Sequence, residues 1–225
     1  MFYYLLEAVI FGVWYYWVCM EKDIHKMNTK EVFHPVNVLA VIMIATGMCF
    51  FVNFQMPMLN MVLPEGQVQE YNNMLEAAGY GTRLIPTIIC LALAPLAEEF
   101  LFRGVLFYYL LKILGRKQRN RKTFWIGNLI QALLFGAFHM NLIQSGYAFV
   151  IGMVLGYLAY QFESVIPAIM SHMIINFLSA FIWEPVVSCL PTGYSAYAIG
   201  AGLSLCVIVL GMTLCVINSD KIGNE

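Results

Sequence analysis

Charge is scarce in this sequence. Only 11% of its 225 residues are charged, 61% are hydrophobic, and the mean hydropathy is +0.75. A soluble domain of this length carries about twice that share of charged residues. The composition excludes an ordinary soluble protein, and it predicts a single integral membrane domain over residues 1–225 with no separate soluble domain.

Paired cysteines are also lacking. The six cysteines are scattered, mostly within apolar segments, and show no metal-ligand spacing: Cys19, Cys49, Cys90, Cys189, Cys206 and Cys215. Thiols in such settings act as small buried hydrophobic groups. The pattern therefore indicates neither a disulfide framework nor a cysteine metal site.

The signatures of several enzyme classes are missing. No serine lies in a GxSxG motif, no HExxH motif occurs, and there is no glycine loop for phosphate. Cys90 has no adjacent histidine to generate a thiolate, and the aspartates, Asp23 and Asp220, lie in polar segments. Serine, cysteine and aspartyl proteases and phosphate-binding enzymes are therefore disfavoured.

Long apolar segments dominate the chain instead. Seven can be drawn, at 2–20, 36–63, 84–111, 124–143, 147–160, 165–183 and 197–217. A helix needs about 20 apolar residues to span a bilayer, so these segments predict an all-α, polytopic membrane helix bundle of about seven transmembrane helices. Splitting one of the two long segments would give eight. The first segment lacks a basic leader and an A-x-A cleavage site, so we interpret it as an anchor and not as a signal peptide.

Basic residues are distributed unevenly around these segments. Seven crossings place the lysines of segment 21–35, the basic cluster at 112–122 and Lys221 on one side, with only Arg83 flanking the other. The positive-inside rule then predicts an N terminus outside, a cytoplasmic C terminus and an outward acidic loop at 64–82. We interpret the basic cluster as a contact for anionic lipid headgroups and not for nucleic acid.

One apolar segment carries three charges. Glu98, Glu99 and Arg103 lie within 84–111, and each charge costs roughly 2.5–3.5 kcal/mol at the centre of a spanning helix. Glu99 and Arg103 are four residues apart, so they share a helix face and can pair. Glu98 lies about 100° further round the helix and is left less neutralised. Pro95 predicts a break or kink just before the acids.

Two histidines fall inside other apolar segments. His139 ends a string that begins at Phe135, and His172 begins one that ends at Asn176. The four-residue spacing puts Asn176 on the helix face of His172, one turn along, so both side chains can meet one bound group. Ionisable residues within a membrane mark functional sites, and hydrolysis at such a site would require a cavity that water can reach.

These residues match a family pattern. The string EEFLFR at 98–103, FxxxH from Phe135 to His139 and HxxxN from His172 to Asn176 resemble, in order and approximate spacing, the motifs of the CAAX protease and bacteriocin-processing enzyme (Abi) family of intramembrane proteases. The resemblance covers about 85–180 as a catalytic core. It implies an intramembrane endopeptidase that cuts membrane-associated or secreted peptide precursors, either of CAAX type or of bacteriocin or signal-peptide type.

The acidic residues fit the chemistry of such an enzyme. Peptide hydrolysis needs an activated water, a donor for the oxyanion and a proton for the leaving amine. A carboxylate in a low-dielectric cavity can take a proton from water. We predict Glu98 as the general base, with Glu99 holding the site through Arg103 or sharing the base role.

The remaining roles come from the resemblance. It implies that His139, supported by Phe135, helps to hold the water, and that His172 and Asn176 stabilise the oxyanion. The depths of these groups differ on simple counting. At about 1.5 Å per residue, a helix that begins at Phe124 would place His139 nearer the outer face than Glu98.

A zinc-dependent version of the same protease is the nearest alternative. Glu98, His139 and His172 would supply the three protein ligands of a catalytic zinc ion, with water in the fourth position. The HExxH spacing is absent, and Asn176 is a poor zinc ligand but a good oxyanion donor. Catalysis without a metal or other cofactor is therefore favoured.

Two other classes of function stay open. A non-catalytic scaffold or immunity protein would be expected to lose the acids and histidines, which are all present. A proton-coupled transporter also buries Glu, Arg and His, but such carriers are often built from internal repeats, and we find none. The expected partners are a peptide or protein substrate at the membrane and the lipid bilayer, without nucleic acid, and the expected location is a bacterial plasma membrane.

Overall fold

The structure, a computed structural model, describes residues 2–20, 32–79, 82–115 and 121–222. All regular secondary structure in these ranges is helical, which confirms the all-α prediction. The helices are α1 (Phe2–Met20), α2 (Pro35–Asn60), α3 (Glu65–Ala78), α4 (Leu84–Ile113), α5 (Arg121–Phe138), α6 (Leu142–Gln161), α7 (Ile166–Phe181), α8 (Trp183–Val187) and α9 (Tyr194–Ile222).

Four of these helices are long and apolar enough to cross a membrane. The spans are Pro35–Leu59, Leu84–Ile113, Leu142–Gln161 and Tyr194–Asn218, within the described ranges. Two shorter apolar helices cover Tyr4–Val18 and Ile166–Phe181. The chain is an integral membrane protein by these helices, while seven or eight crossings stays a prediction. The polar segments 21–31 and 116–120 lie outside the described residues.

The chain divides into two compact units. The first contains α1 and Ile88–Ile169, and the second contains α2, α3, the first turn of α4 and everything described from Met170 onward. The prediction of one membrane domain over 1–225 stays a prediction. Each unit is organised by close helix contacts.

In the first unit, α1 runs parallel to α4. The Tyr15 and Phe100 rings stack with centroids 5.6 Å apart, and a Cβ on Gly104 would lie 2.7 Å from the Tyr15 ring. Gly12, one turn before Tyr15, also faces Phe100. Residue numbers therefore rise together along the two helices, so α1 and α4 end at the same side of this unit.

The close packing of α6 against α5 follows from small residues. Ala148, Gly152 and Gly156 recur every four residues, which predicts a smooth face. A Cβ on Gly152 would lie 3.2 Å from Ala132 of α5, and one on Gly156 would overlap the side-chain oxygen of Asn128. The prediction is confirmed, because these glycines leave room for the α5 backbone and for a buried amide.

In the second unit, α2 and α9 pack antiparallel through glycine. A Cβ on Gly47 would lie 2.9 Å from the backbone oxygen of Ser204, and one on Gly211 would lie 3.0 Å from that of Ala40. Backbones approach this closely only where no side chain intervenes. The pair forms the frame of this unit.

Two sequence expectations need correction. Of the break or kink expected at Pro95, the break does not occur, since helix α4 continues from Leu84 to Ile113, with widened, π-type turns at Ile89–Leu93 and Phe100–Leu106. In the first widened turn the Ala94 N–H donates to the Ile89 carbonyl, five residues back instead of four, and this change accommodates the proline. Such turns are frequent at functional sites, and here they flank both acids.

The predicted acidic loop at 64–82 is largely helical. Helix α3 follows Pro64, begins with Glu65 in its first turn and ends at Gly79, which has a φ of +66°. Glycine adopts this left-handed conformation without steric cost and is a common helix terminator. Val68, Tyr71 and Leu75 recur at helical spacing among polar residues, so the segment forms a short amphipathic helix, which its polar composition concealed.

Candidate active site

The predicted ion pair between Glu99 and Arg103 is formed. Arg103 Nη1 donates to Glu99 Oε1 at 2.8 Å, and both side chains have no exposed surface. The two residues lie on one face of α4, one on each side of the start of the second widened turn. Each charge neutralises the other where water cannot, so the pair is tolerated inside an apolar helix.

The Arg103 guanidinium is held on two further sides. Its carbon lies 4.2 Å from the centre of the Phe135 ring of α5, in a cation–π contact. Its Nη2 donates to the Gly152 carbonyl of α6 at 3.3 Å. Residues from three helices therefore fix this side chain, and through it they fix the orientation of the Glu99 carboxylate.

Glu98 has different surroundings from its neighbour. It is partly exposed, whereas Glu99 is completely buried. Its carboxylate interacts electrostatically with Tyr4 of α1, with Cys90 and with Arg103. Of the two adjacent acids, Glu98 is therefore the one with exposed surface.

His139 lies at the corner that follows α5. Its Nδ1 is 2.9 Å from the Phe135 carbonyl, an acceptor, so Nδ1 carries the hydrogen and Nε2 is the basic nitrogen. Its ring meets the Phe135 ring edge to face, with centroids 5.0 Å apart. Met140 then adopts a φ of +53°, and Asn141 caps α6 by accepting from Gln144 N–H at 3.1 Å.

Phe135 explains the FxxxH spacing physically. One face of its ring carries the Arg103 guanidinium, its edge contacts His139, and its carbonyl sets the His139 tautomer. The side chain is almost completely buried, with 1% exposed. One phenylalanine therefore ties the acidic motif of α4 to the histidine that follows α5.

The register between α4 and α5 corrects the depth expected for His139. The rings of Phe102 and Phe135 are 5.1 Å apart, whereas Gly127 faces Leu111, so the two helices run antiparallel. Arg103 of α4 packs against Phe135 of α5. One turn further along α5 lies His139, and one turn back along α4, in the same direction, lies Glu99. The acids and His139 therefore lie at the same level. Helix α5 also begins at Arg121 and not at Phe124.

His172 and Asn176 lie on α7, in the second unit. His172 is buried, with 7% exposed, and Asn176 is partly exposed one turn later on the same face. Two turns beyond His172, Ser179 accepts a hydrogen bond from Asn53 Nδ2 of α2 at 3.1 Å. The predicted face of α7 is formed, and its convergence with the acids and His139 stays a prediction.

Two residues of the first unit escaped the sequence reasoning. Asn128 and Gln131 of α5 are completely buried and bonded to each other, with Gln131 Nε2 donating to Asn128 Oδ1 at 2.7 Å. Gln131 Nε2 also donates to the Gly152 carbonyl at 2.9 Å, the same carbonyl that accepts from Arg103. Two amides one turn apart in an apolar segment are the signal that could have identified them.

The described side chains do not form a metal site. No group of three or more His, Cys, Asp or Glu residues in the described ranges is arranged to hold a metal ion. The ligand set of the zinc alternative is divided between the units, with Glu98 and His139 in the first and His172 in the second. Catalysis with or without zinc therefore stays a prediction.

Comparison with known families agrees with the motifs. Residues 81–178 match the family model described as Type II CAAX prenyl endopeptidase Rce1-like. The match covers the acidic motif, His139, His172 and Asn176, and it confirms the predicted resemblance over this segment. No curated protein and no solved structure matches the chain. The matched family is one of proteases, which supports peptidase activity in this membrane protein.

Proposed function

We propose that this protein is an intramembrane endopeptidase in which Glu98 activates water. The observation that carries the proposal is the contrast between two adjacent acids on α4. Glu99 is fully buried and paired with Arg103, while Glu98 is partly exposed at the level of His139. Glu99 is already bonded to Arg103, so we assign the role of general base to Glu98.

The hydrolysis follows from these groups. Glu98 removes a proton from water as the water oxygen bonds to the substrate carbonyl carbon, and His139 Nε2 holds that water by accepting its other hydrogen. His172 and Asn176 donate to the oxyanion of the tetrahedral intermediate. As the C–N bond breaks, Glu98 returns its proton to the leaving amine, and the free acid and amine are released.

The substrate class is proposed from the matched family. Its description names CAAX prenyl endopeptidases, so we propose a prenylated C-terminal peptide, presented at the membrane, as the first substrate to examine. Bacteriocin or signal-peptide precursors of a bacterial plasma membrane are the alternative within the same chemistry. Catalysis is proposed without a metal, since the HExxH spacing is absent and Asn176 is a poor zinc ligand but a good oxyanion donor.

The proposed orientation has the N terminus outside and the C terminus cytoplasmic. The parallel packing of α1 and α4 and the antiparallel packing of α4 and α5 support it. Both match the alternation expected of seven crossings. The basic segments after α1 and α4 then face the cytoplasm.

The test is cleavage of a farnesylated CAAX peptide by the purified protein in lipid vesicles, with products identified by mass spectrometry. The wild-type protein should cleave it, and Glu98→Gln should lose at least about 100-fold in kcat, because general-base catalysis contributes roughly 10²–10⁴. Glu70→Gln, which changes an exposed acid of α3, is the matched control and should retain activity.

Two further arms separate the alternatives. Proteomics of membrane and secreted peptides with wild type against Glu98→Gln would identify an accumulating precursor if the substrate is not prenylated. Activity lost to a chelator, restored by zinc and accompanied by stoichiometric metal would support the zinc version. A folded wild-type protein that cuts neither the peptide nor any cellular precursor, or a Glu98→Gln variant with full activity, would refute the protease proposal.

A further inference from the structure

We propose that Gln131, aligned by Asn128, is a positioning residue that holds Arg103 in place to orient the acidic site. It touches no reacting atom, and it acts through the Gly152 carbonyl that it shares with Arg103. This inference rests on the proposed function, because Arg103 orients Glu99, the acid that adjoins the proposed base Glu98.

The first step is the shared acceptor. The Gly152 carbonyl of α6 accepts from Gln131 Nε2 at 2.9 Å and from Arg103 Nη2 at 3.3 Å. This carbonyl lies inside α6, where it also accepts the helical bond from the Gly156 N–H, so the two side-chain donors share its remaining capacity to accept. The Gln131 bond is the shorter one, and it holds this carbonyl where Arg103 can reach it.

The second step is the orientation of Gln131 itself. Asn128 Nδ2 donates to the Met153 carbonyl at 2.9 Å, which leaves Asn128 Oδ1 to accept from Gln131 at 2.7 Å. Both side chains are completely buried. The amide of Gln131 is therefore held by two acceptors, and α5 is joined to consecutive carbonyls of α6.

The third step is the space that makes this network fit. A Cβ on Gly156 would overlap Asn128 Oδ1 and lie 2.5 Å from Gln131 Nε2, and a Cβ on Gly152 would lie 3.2 Å from Arg103 Nη2. Both glycines thus leave room for the amides and the guanidinium. The same two glycines therefore allow both the polar network and the close approach of α5 to α6.

The fourth step is the link to the acids. Arg103 Nη1 bonds Glu99 and Nη2 bonds Gly152, so the guanidinium plane is set by both ends. If the Gly152 carbonyl shifts, the guanidinium can rotate over Phe135 and carry the Glu99 carboxylate with it. A displacement of about 1 Å at a catalytic site can cost on the order of 100-fold in rate.

The experiment is a double-mutant cycle between Gln131 and Arg103, with kcat and KM measured on the farnesylated CAAX peptide in lipid vesicles. Gln131→Met keeps the length of the side chain and removes its hydrogen bonds. Arg103→Lys keeps the charge and removes the planar, two-ended contact. Gln69→Met is the matched control, since Gln69 Nε2 also donates to an asparagine, Asn73 Oδ1 at 2.8 Å, but on the exposed helix α3.

We expect Gln131→Met to lower kcat by on the order of tenfold with KM unchanged, a size typical of coupled residues, while Gln69→Met changes neither. In the Arg103→Lys background, Gln131→Met should lower kcat by less than about twofold. Gln131 acts through the contact between Arg103 and the Gly152 carbonyl, and Arg103→Lys already removes that contact. An equal loss in both backgrounds would overturn the proposal, as would an unchanged kcat in Gln131→Met. If Gln131→Met does not fold, Gln131→Asn, which shortens the side chain by one methylene, takes its place in the cycle under the same criteria.

Failure of the protease proposal is recognised separately. If the folded wild-type protein does not cleave the peptide, the cycle is measured on the midpoint of thermal unfolding in detergent. Non-additive shifts for Gln131→Met and Arg103→Lys then support the hold of Gln131 on Arg103. Additive shifts overturn it, whatever reaction the site performs.

Discussion

The two halves of the proposed site are held in place by different chemistry. On α4 to α6, a buried acid and a buried guanidinium bond each other and a backbone carbonyl. On α7, the helix that carries His172 and Asn176 is bonded to α2 by neutral groups, the Asn53 amide and the Ser179 hydroxyl. A buried charge that loses its partner costs several kcal/mol, whereas a hydrogen bond between membrane helices averages about 0.6 kcal/mol. The acid half should therefore be sensitive to substitution and the α7 half tolerant.

The largest effect is expected from Arg103→Leu. The substitution leaves the Glu99 carboxylate buried without its cation, so the free energy of unfolding should fall by about 3–5 kcal/mol. Denaturant titration in detergent measures this change. Arg83→Leu is the matched control, because Arg83 is exposed and its loss should change stability by less than about 0.5 kcal/mol. Equal effects of the two variants would contradict the comparison.

The double variant Glu99→Leu/Arg103→Leu sharpens the same point. Replacing both members of a buried ion pair by apolar residues is often neutral or stabilising, so most of the lost stability should return. Peptidase activity should not return, because the pair beside Glu98 is gone and the Phe135 ring, which contacts His139, loses the guanidinium that it packs against. A double variant that is active as well as stable would show that the pair does not orient the site.

An intermediate effect is expected from Phe135→Leu. The substitution removes the ring that lies 4.2 Å from the Arg103 guanidinium, a desolvated cation–π contact worth about 2 kcal/mol. It also removes the edge contact with His139, so kcat should fall together with stability. Phe138→Leu is the control. This ring lies on the same helix and is more exposed, and among the described residues the Arg103 guanidinium packs over Phe102 and Phe135 but not over Phe138. A smaller loss for Phe135 than for Phe138 would contradict the role of the ring.

The smallest effect is expected on α7. Ser179→Ala removes one of the acceptors of Asn53, which also donates to the Cys49 carbonyl, and should lower the free energy of unfolding by about 0.6–1 kcal/mol. Ser204→Ala, whose hydroxyl bonds only the Gly200 carbonyl of its own helix in the described contacts, should have almost no effect. If Ser179→Ala proved as damaging as Arg103→Leu, the two halves would be equally rigid and the comparison would fail.

The sequence predicted those parts of the site that helix geometry alone sets. Glu99 and Arg103 pair because residues four apart meet on a helix face, and the second widened turn does not separate them. Asn176 follows His172 on one face of α7 for the same reason. The helix α3 was missed because its polar composition suggested a loop, although Val68, Tyr71 and Leu75 recur at helical spacing and indicate an amphipathic helix.

By itself, then, the sequence determined that the chain is helical and membrane-embedded, which side chains are charged within it and which of them share a helix turn, because these depend on spacings of a few residues. The tertiary structure alone decided that the Arg103 guanidinium packs over the Phe135 ring and that the Gly152 carbonyl accepts from both Arg103 and Gln131. It also decided that His139 lies level with the acids. These contacts depend on the register between helices that are far apart in the chain. That register is set by the closeness with which glycine and alanine faces allow whole helices to pack.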